Sequence, residues 1–205
     1  MAIARCDDLM KRILNDTGSS EYQSFISGPD NFRYAVDPLY KANRKDKARP
    51  EWLQDVREHL VLQWGARVSD GIEADDDLGI AQTEETVICS IDKDLLQIPG
   101  RHFNFVSGAH AVVDERTGWI NFYTQLIMGD RADNIPGYDG KMRGVVPKFL
   151  QPKIDFLHSL EKPFQMYDFV YDLYHDEGLG HDRFNTNCEL LYILRNPEEY
   201  WHAPE

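Results

Sequence analysis

The sequence predicts an α/β fold, and three patterns support this prediction. Side chains that would share one face of a helix recur at helical spacing along residues 2–14 and again along 52–63. A short apolar run with polar ends, Thr86–Ser90, is typical of a buried strand. Two acids, Asp92 and Asp94, come directly after that strand, at the position where α/β sheets place their active sites. The 205 residues are enough for one domain with a sizeable core.

The first half of the chain is expected to alternate helices with short strands. The opening helix should end at residues 15–18, and a short strand should follow at Tyr22–Ile26. Pro50 suits the first turn of the next helix, which Trp64-Gly65 should end. Another short strand is expected at residues 66–69.

The second half is expected to hold a strand, a β-hairpin and several helices. The predicted elements are a strand at His102–Val106, a β-hairpin over Ala111–Ile120, a short buried helix over Phe122–Met128, helices from Phe149 to about Tyr174 and over Asn187–Leu194, and a polar loop over Asp176–Asn187.

Composition is that of a globular protein, with 42% hydrophobic and 28% charged residues. No apolar run is long enough for a membrane helix, and no signal peptide opens the chain, so no membrane partner is expected. Three widely spaced cysteines without metal-ligand spacing indicate reduced thiols in a cytoplasmic protein. The net charge of −13 argues against nucleic-acid binding, unless a local basic segment grips phosphate.

Such a basic segment lies within Asp37–Arg49. Five cations fall within nine residues, namely Lys41, Arg44, Lys45, Lys47 and Arg49, and Tyr40 stands beside them. One interpretation is a solvated, charged helix. The other is a phosphate-binding segment, because Lys and Arg release counterions from a nucleic-acid backbone.

Three acidic motifs carry the chemistry. They contribute seven carboxylates, those of Glu73, Asp75, Asp76, Asp92, Asp94, Asp130 and Asp133. Taken singly, each motif has a plain alternative, such as a helix-capping turn or a solvated loop. Taken together, seven acids in one cleft require cations, and two Mg²⁺ ions could clamp the attacking and leaving oxygens of a phosphodiester. With the basic segment, this pattern favours metal-assisted hydrolysis of nucleic acid.

The ordered set of acidic motifs resembles the flap endonuclease and 5′-3′ exonuclease family, especially its short phage members. The motifs are Glu73-Ala74-Asp75-Asp76, Ser90-Ile91-Asp92-Lys93-Asp94 and the run Gly129–Gly137. Phe32-Arg33 and Tyr40–Lys45 resemble the family's basic segment. The likeness covers roughly residues 20–145. Any one of these motifs is weak evidence, whereas the ordered set is specific.

The resemblance implies a mixed, mostly parallel central sheet flanked by helices. It divides the chain into a nuclease core (1–128), with a basic arch near 37–50, and a helical DNA-gripping region (129–205) that resembles a helix-hairpin-helix and completes the metal site. It also implies a Mg²⁺-dependent 5′-3′ exonuclease or flap endonuclease of phage-type replication or DNA degradation, with Mn²⁺ as a substitute. The expected substrates are DNA 5′ ends, flaps and nicked duplexes, and the expected location is the cytoplasm, or the host cytoplasm for a phage-encoded chain.

The resemblance also assigns roles to residues. The first metal cluster matches Glu73, Asp75 and Asp76, and the second matches Asp92, Asp94, Asp130 and Asp133. Lys41 and Arg44 match arch residues that face the scissile phosphate. The residues expected to contact DNA are Arg33, Tyr40, Lys41, Arg44, Lys45, Lys141 and Arg143.

The sequence departs from the family pattern in four places. The family's first strand, with an early metal-binding Asp, has no counterpart here, which predicts exposed apolar edges. Three interpretations follow: the sequence is a fragment, an upstream polypeptide supplies the strand, or activity has been lost. Ile26-Ser27 stand where a second Asp is usual. Gly140-Lys141-Met142 differs from the family's Gly-Ile-Gly hairpin, and Asp77 is expected to be a helix-start acid rather than a ligand.

Three hypotheses therefore remain after the sequence alone. The first is the metal-dependent nuclease. The second is a structure-specific DNA-binding module without catalysis, or half of a split nuclease, which the missing Asp favours. The third is an unrelated acidic hydrolase of the phosphatase kind, against which the basic segment argues.

Overall fold

The computed structural model describes residues 1–44 and 48–204, and it confirms the α/β class. The helices are α1 (Ala2–Thr17), α2 (Arg33–Val36), α3 (Leu53–Trp64), α4 (Ala74–Ala81), α5 (Glu115–Met128), α6 (Gln151–Ser159), α7 (Pro163–Asp176) and α8 (Gly180–Leu191). The strands are β1 (Phe25–Ile26), β2 (Arg67–Val68), β3 (Val87–Cys89), β4 (Gly100–Asn104), β5 (Ala109–Val113), β6 (Gly129–Asp130) and β7 (Ile135–Pro136). Short 3₁₀ helices span Ala42–Arg44 and Lys93–Gln97.

The strands pair in both directions, as expected for a mixed sheet. β1 lies parallel to β2, with Phe25 opposite Arg67, and β3 lies parallel to β4, with Ile88 opposite His102. β4 and β5 are antiparallel, and so are β6 and β7. Within the described ranges these strands form three separate sheets, β1-β2, β3-β4-β5 and β6-β7, rather than the single central sheet that the resemblance implied.

The main core surrounds α5, whose inner side chains are fully buried. Phe122, Tyr123 and Leu126 pack there against α6, α7 and α8. Tyr174 of α7 donates a hydrogen bond to the Leu126 carbonyl over 2.7 Å. The buried helix expected at 122–128 is therefore confirmed, and it extends back to Glu115 because Asp114 caps its first turn by accepting from the Thr117 amide at 2.7 Å.

That cap overturns the β-hairpin predicted over 111–120. The hairpin lies earlier, between β4 and β5, and α5 begins directly after it. Gly118 had been interpreted as a turn residue, but it lies inside α5. A Cβ there would stand only 2.5 Å from the Gln97 carbonyl oxygen, so the glycine permits close helix packing instead of a turn.

The polar loop predicted over 176–187 is also wrong, since α8 begins at Gly180. Its inward face carries Phe184, Asn187, Cys188 and Leu191. Asn187 is buried because its amide donates to the Tyr174 hydroxyl at 2.8 Å and to the Pro136 carbonyl at 2.5 Å. A polar residue in the apolar stripe concealed the helical period.

The long helix α1 is amphipathic, yet none of its residues is fully buried. It packs on α3 through Asp7, which accepts hydrogen bonds from Trp64 Nε1 at 2.7 Å and from His59 Nε2 at 2.6 Å. Neither α1 nor any other helix in the described ranges is long and apolar enough to cross a membrane.

Candidate metal and nucleic-acid site

Local sequence explains where the acidic side chains stand. Glu73 and Asp76 form a capping box at the start of α4, which brings Asp75 into the first helical turn. Asp92 follows β3 and caps the next 3₁₀ helix by accepting from the Asp94 amide at 3.0 Å. Asp92 and Asp94 therefore lie after β3, as the sequence predicts, at the start of a 3₁₀ helix.

The third pair of acids comes from the tight turn between β6 and β7. Asp130 lies in β6, and its Oδ1 accepts a hydrogen bond from the Asp133 amide at 3.2 Å. Asn134 adopts a left-handed backbone with φ of 62°, which Asn tolerates better than most residues. Asn134 thus allows the chain to turn sharply between β6 and β7.

Burial and repulsion between these acids raise the pKa of two of them, Asp75 and Asp94. Burial, followed by repulsion from Asp92 and Glu73, raises the pKa of Asp75 to about 6. Burial also raises the pKa of Asp94 well above the usual carboxyl range, aided by the negative charges of Asp92 and Asp130. Asp92 acts on both Asp75 and Asp94, so the acids that follow β3 link the start of α4 to the β6–β7 turn.

The basic segment docks directly on this cluster. Lys41 Nζ lies 2.5 Å from Glu73 Oε1 and 3.4 Å from Asp133 Oδ2. The Tyr40 hydroxyl lies 2.9 Å from Glu73 and 3.0 Å from Asp133, so it can donate to either carboxylate. Arg44 forms an ion pair with Asp133. The residues predicted to face phosphate therefore face the acids in this structure.

Two predicted site residues are paired with each other in this structure. Arg33 is 3% exposed and Asp76 is fully buried, and they form a bidentate ion pair at 2.7 and 2.8 Å. Asp76 also accepts hydrogen bonds from the amides of Glu73 and Leu194. Each of its two carboxylate oxygens therefore already accepts two hydrogen bonds. In this structure Asp76 has no oxygen free for a metal ion and Arg33 is buried against it, while a metal role for Asp76 and a DNA contact for Arg33 stay predictions. The pair locks α4 to the segment after α8.

The remaining predicted DNA contacts divide three ways. Lys141 is exposed in the loop after β7. Arg143 pairs with Asp139, and its side chain is only 11% exposed, so it closes that loop instead of facing a ligand. Lys45 lies outside the described residues.

Sequence reasoning missed two residues that support the cluster. Ser27 Oγ accepts from the Ala74 amide at 3.0 Å, which ties β1 to the start of α4. Asn31 donates to Glu73 Oε1 at 3.2 Å and accepts from the Arg33 amide at 2.8 Å. Only the position of Ser27, where an acid is usual, hinted at this role. Nothing in the local pattern around Asn31 distinguished it from a turn residue.

The donor set fits a hard divalent cation. Four of the acids, Asp75, Asp92, Asp94 and Asp130, offer carboxylate oxygens whose mutual repulsion a divalent ion would relieve. In residues 1–44 and 48–204, however, no three acidic, His or Cys side chains already stand close enough to enclose an ion. The cluster therefore has the chemistry of a metal site but needs side-chain movement to close on one.

Comparisons with known proteins show which folds this chain is similar to. Among solved structures, T5 5′-exonuclease with bound zinc superposes on 92% of this chain and 80% of its own, with a TM-score of 0.55 and 17% identity. A T5 protein co-crystallised with metal ions superposes on 91% of this chain and 80% of its own, with a TM-score of 0.66 and 17% identity. This chain therefore shares its fold with T5 5′-exonuclease.

A weaker sequence relationship points to the same fold. DNA polymerase I of Treponema pallidum (strain Nichols) is 32% identical over 148 residues, which cover 60% of this chain. Those residues span only 14% of the polymerase. No family model matches the chain. The exonuclease fold therefore rests mainly on the superposed structures.

Proposed function

We propose that this chain is a metal-dependent nuclease that hydrolyses DNA phosphodiesters at 5′ ends, flaps and nicks. The supporting observation is the meeting of the acids after β3, the start of α4 and the β6–β7 turn with Lys41 and Arg44. Acids alone fit many cation sites. Acids faced by a Lys and an Arg on one docked segment fit a phosphodiester, which needs both cations and phosphate-binding groups.

In this proposal the chain's own residues have separate tasks. Asp75, Asp92, Asp94 and Asp130 hold Mg²⁺, two ions in the full site, with Mn²⁺ as a substitute. When bound, such ions polarise the phosphodiester and lower the pKa of water, so that it can attack. Lys41 and Arg44 leave the carboxylates to bind the phosphate and offset its developing charge. The carboxylates act as ligands and do not attack phosphorus.

A role in phage-type replication or DNA degradation belongs to the same proposal. The exposed Lys141 and the helices after residue 129 are proposed to grip the duplex. Such contacts are electrostatic, so binding should weaken steeply as salt is raised.

A catalytically impaired DNA-binding module is the second candidate. Two observations favour it. Lys41 and Arg44 already neutralise Glu73 and Asp133. In the described residues, no three acids stand close enough to enclose a metal ion. A chain of this kind would bind flaps and nicks equally well with and without metal.

We also propose that a further β-strand pairs with the open sheet edges. In the described ranges β1 pairs only with β2, and β3 only with β4. Ser27 contacts α4 at Ala74, and Asp75 of α4 is influenced by Asp92 after β3, so both strands end beside the same helix. Amide hydrogen exchange at β1 and β3 should slow when a strand-forming segment is added, and unchanged exchange would contradict this pairing.

Cleavage assays separate these candidates. A 5′-labelled flap and a nicked duplex are incubated with the chain in Mg²⁺, in Mn²⁺ and in EDTA. The nuclease proposal predicts short labelled products with either metal and none in EDTA. Retained binding without cleavage in any metal would favour the binding module, and loss of both would contradict the two candidates together.

A further inference from the structure

Lys41 is largely buried between two carboxylates of the acidic cluster. Its ammonium contacts Glu73 and lies 3.4 Å from Asp133, and its side chain is only 15% exposed. Tyr40 Oη lies between the same two carboxylates. A single positive charge therefore joins an acid from the start of α4 to an acid from the β6–β7 turn, where a shared divalent ion would otherwise do so.

The backbone holds this lysine in place. The Lys41 amide donates to the Asp133 carbonyl at 2.9 Å, and Lys41 adopts a left-handed φ of 54°, which is unusual for a residue with a long side chain. The flanking residues also bind the same turn. Asn43 donates to the Arg131 carbonyl at 2.8 Å, and Arg44 Nε donates to the Ala132 carbonyl at 3.1 Å. Residues 41–44 of the basic segment are thus docked together on the β6–β7 turn.

The acids consequently fall into two groups. Glu73 and Asp133 are paired with cationic side chains. For Asp75, Asp92, Asp94 and Asp130, the part of the chain that the structure describes provides no ion pair with Lys, Arg or His. The second group is therefore open to a cation once its side chains move to close on one, whereas the first group is already occupied by Lys41 and Arg44.

We propose that the Lys41 ammonium and a divalent ion compete for Glu73 and Asp133. One ion binds the open group in the resting chain, and a second enters only when Lys41 leaves. Lysine and metal exclude each other because both are positive and both need the same oxygens. This inference rests on the proposed metal-dependent nuclease, and it adds that the chain carries its own occupant of the second site.

The test is a titration of the metal-free chain with Mn²⁺. Binding is measured by calorimetry and by the loss of the electron paramagnetic resonance signal of free Mn²⁺. Lys41→Met removes the charge and keeps most of the side-chain length. We expect it to bind one more Mn²⁺ than the wild type at the same free concentration, or to bind the weaker ion at least about tenfold more tightly. The reason is that two positive charges competing for the same oxygens repel each other by more than the free energy of a tenfold change in affinity.

Two control variants make the result specific. Lys41→Arg retains the positive charge and should behave as the wild type. Lys11→Met makes the same change at an exposed position on α1 and should also leave Mn²⁺ binding unchanged. Equal Mn²⁺ stoichiometry and affinity in wild type and Lys41→Met would overturn the competition. If neither protein bound Mn²⁺, the proposed metal-dependent nuclease would fall as well.

A second measurement uses only the wild-type chain, so it does not depend on how the variant folds. Acetylation of lysine amines, read by mass spectrometry, should be slow at Lys41 in EDTA and faster in saturating Mn²⁺. Lys11 serves as the internal reference. No change at Lys41 on adding Mn²⁺ would contradict its displacement, even if the chain cleaves DNA.

Discussion

At the residue scale, the buried pair of Arg33 and Asp76 supports the candidate site. Arg33 also donates to the carbonyls of Leu190 and Tyr192, at 2.9 and 2.7 Å. Removing either partner would leave the other charge buried and unpaired. We expect Asp76→Asn or Arg33→Met to lower the free energy of unfolding by roughly 3–5 kcal/mol, as measured by urea denaturation.

The control for this pair is Asp77→Asn, one residue further along α4, which should change stability by no more than about 0.5 kcal/mol. A double variant of Arg33 and Asp76 should lose less than the sum of the single variants, because neither charge then lacks a partner. Full additivity would contradict the pairing.

The Arg33–Asp76 pair also shows what the sequence could not predict at this scale. The motif Glu73-Ala74-Asp75-Asp76 indicated a cluster of acids, and the structure brings two of these acids to the candidate site. The motif did not indicate which acid faces inward, because the inward position depends on contacts with Leu194 and Arg33, which are distant in the sequence. Long-range partners of this kind leave no periodic signal in the local sequence.

At the element scale, α4 is positioned by a glycine. A Cβ on Gly79 would lie 2.3 Å from the Leu194 carbonyl oxygen, so α4 packs closely on the segment after α8. Gly79→Ala should therefore lower the melting temperature, although Ala favours helix by about 1 kcal/mol. Gly144→Ala is the matched control, since open space surrounds Gly144 and its φ is not positive. A melting temperature raised by Gly79→Ala would contradict this packing.

The contact between α1 and α3 should depend on pH. Hydrogen bonds from His59 and Trp64 lower the pKa of Asp7. The contribution of Asp7 to stability is therefore present above its ordinary pKa of about 4 and is lost as the pH falls through the lower value of the folded state. Urea denaturation of wild type and Asp7→Asn should differ at pH 7, and the difference should shrink below about pH 4. A constant difference would contradict this role.

Elements with a clear period and clear ends were predictable. The end of α3 at Trp64-Gly65 is confirmed, because Gly65 adopts the left-handed φ of 61° that suits a helix end. The misplaced hairpin and the misplaced start of α8, which was expected at Asn187 and lies at Gly180, share one cause. Gly118 and Asn187 are residues typical of turns, and only tertiary contacts with Gln97 and Pro136 explain their presence inside helices.

At the scale of the whole molecule, the α/β fold brings distant acids and one basic segment to a common place. Motif order in the sequence predicted this meeting, because acids after strands and at helix starts gather at one edge of an α/β sheet. The division of the strands into separate sheets was not predicted, since each local strand signal is the same whether or not a neighbour pairs with it.

The most direct test of this account measures cleavage and binding of one 5′-labelled flap by the wild type and by Asp92→Asn. Together with burial, the charge of Asp92 raises the pKa of both Asp75 and Asp94, and Asp92 forms no ion pair within the residues that the structure describes. The account predicts that Asp92→Asn lowers the Mg²⁺-dependent cleavage rate by at least about 100-fold, on the scale of a lost electrostatic stabiliser, while its affinity for DNA in EDTA stays within about threefold. Asp77→Asn should match the wild type in both measurements. Wild-type cleavage by Asp92→Asn, or an equal loss of cleavage and binding, would contradict the assignment of these carboxylates to the metal.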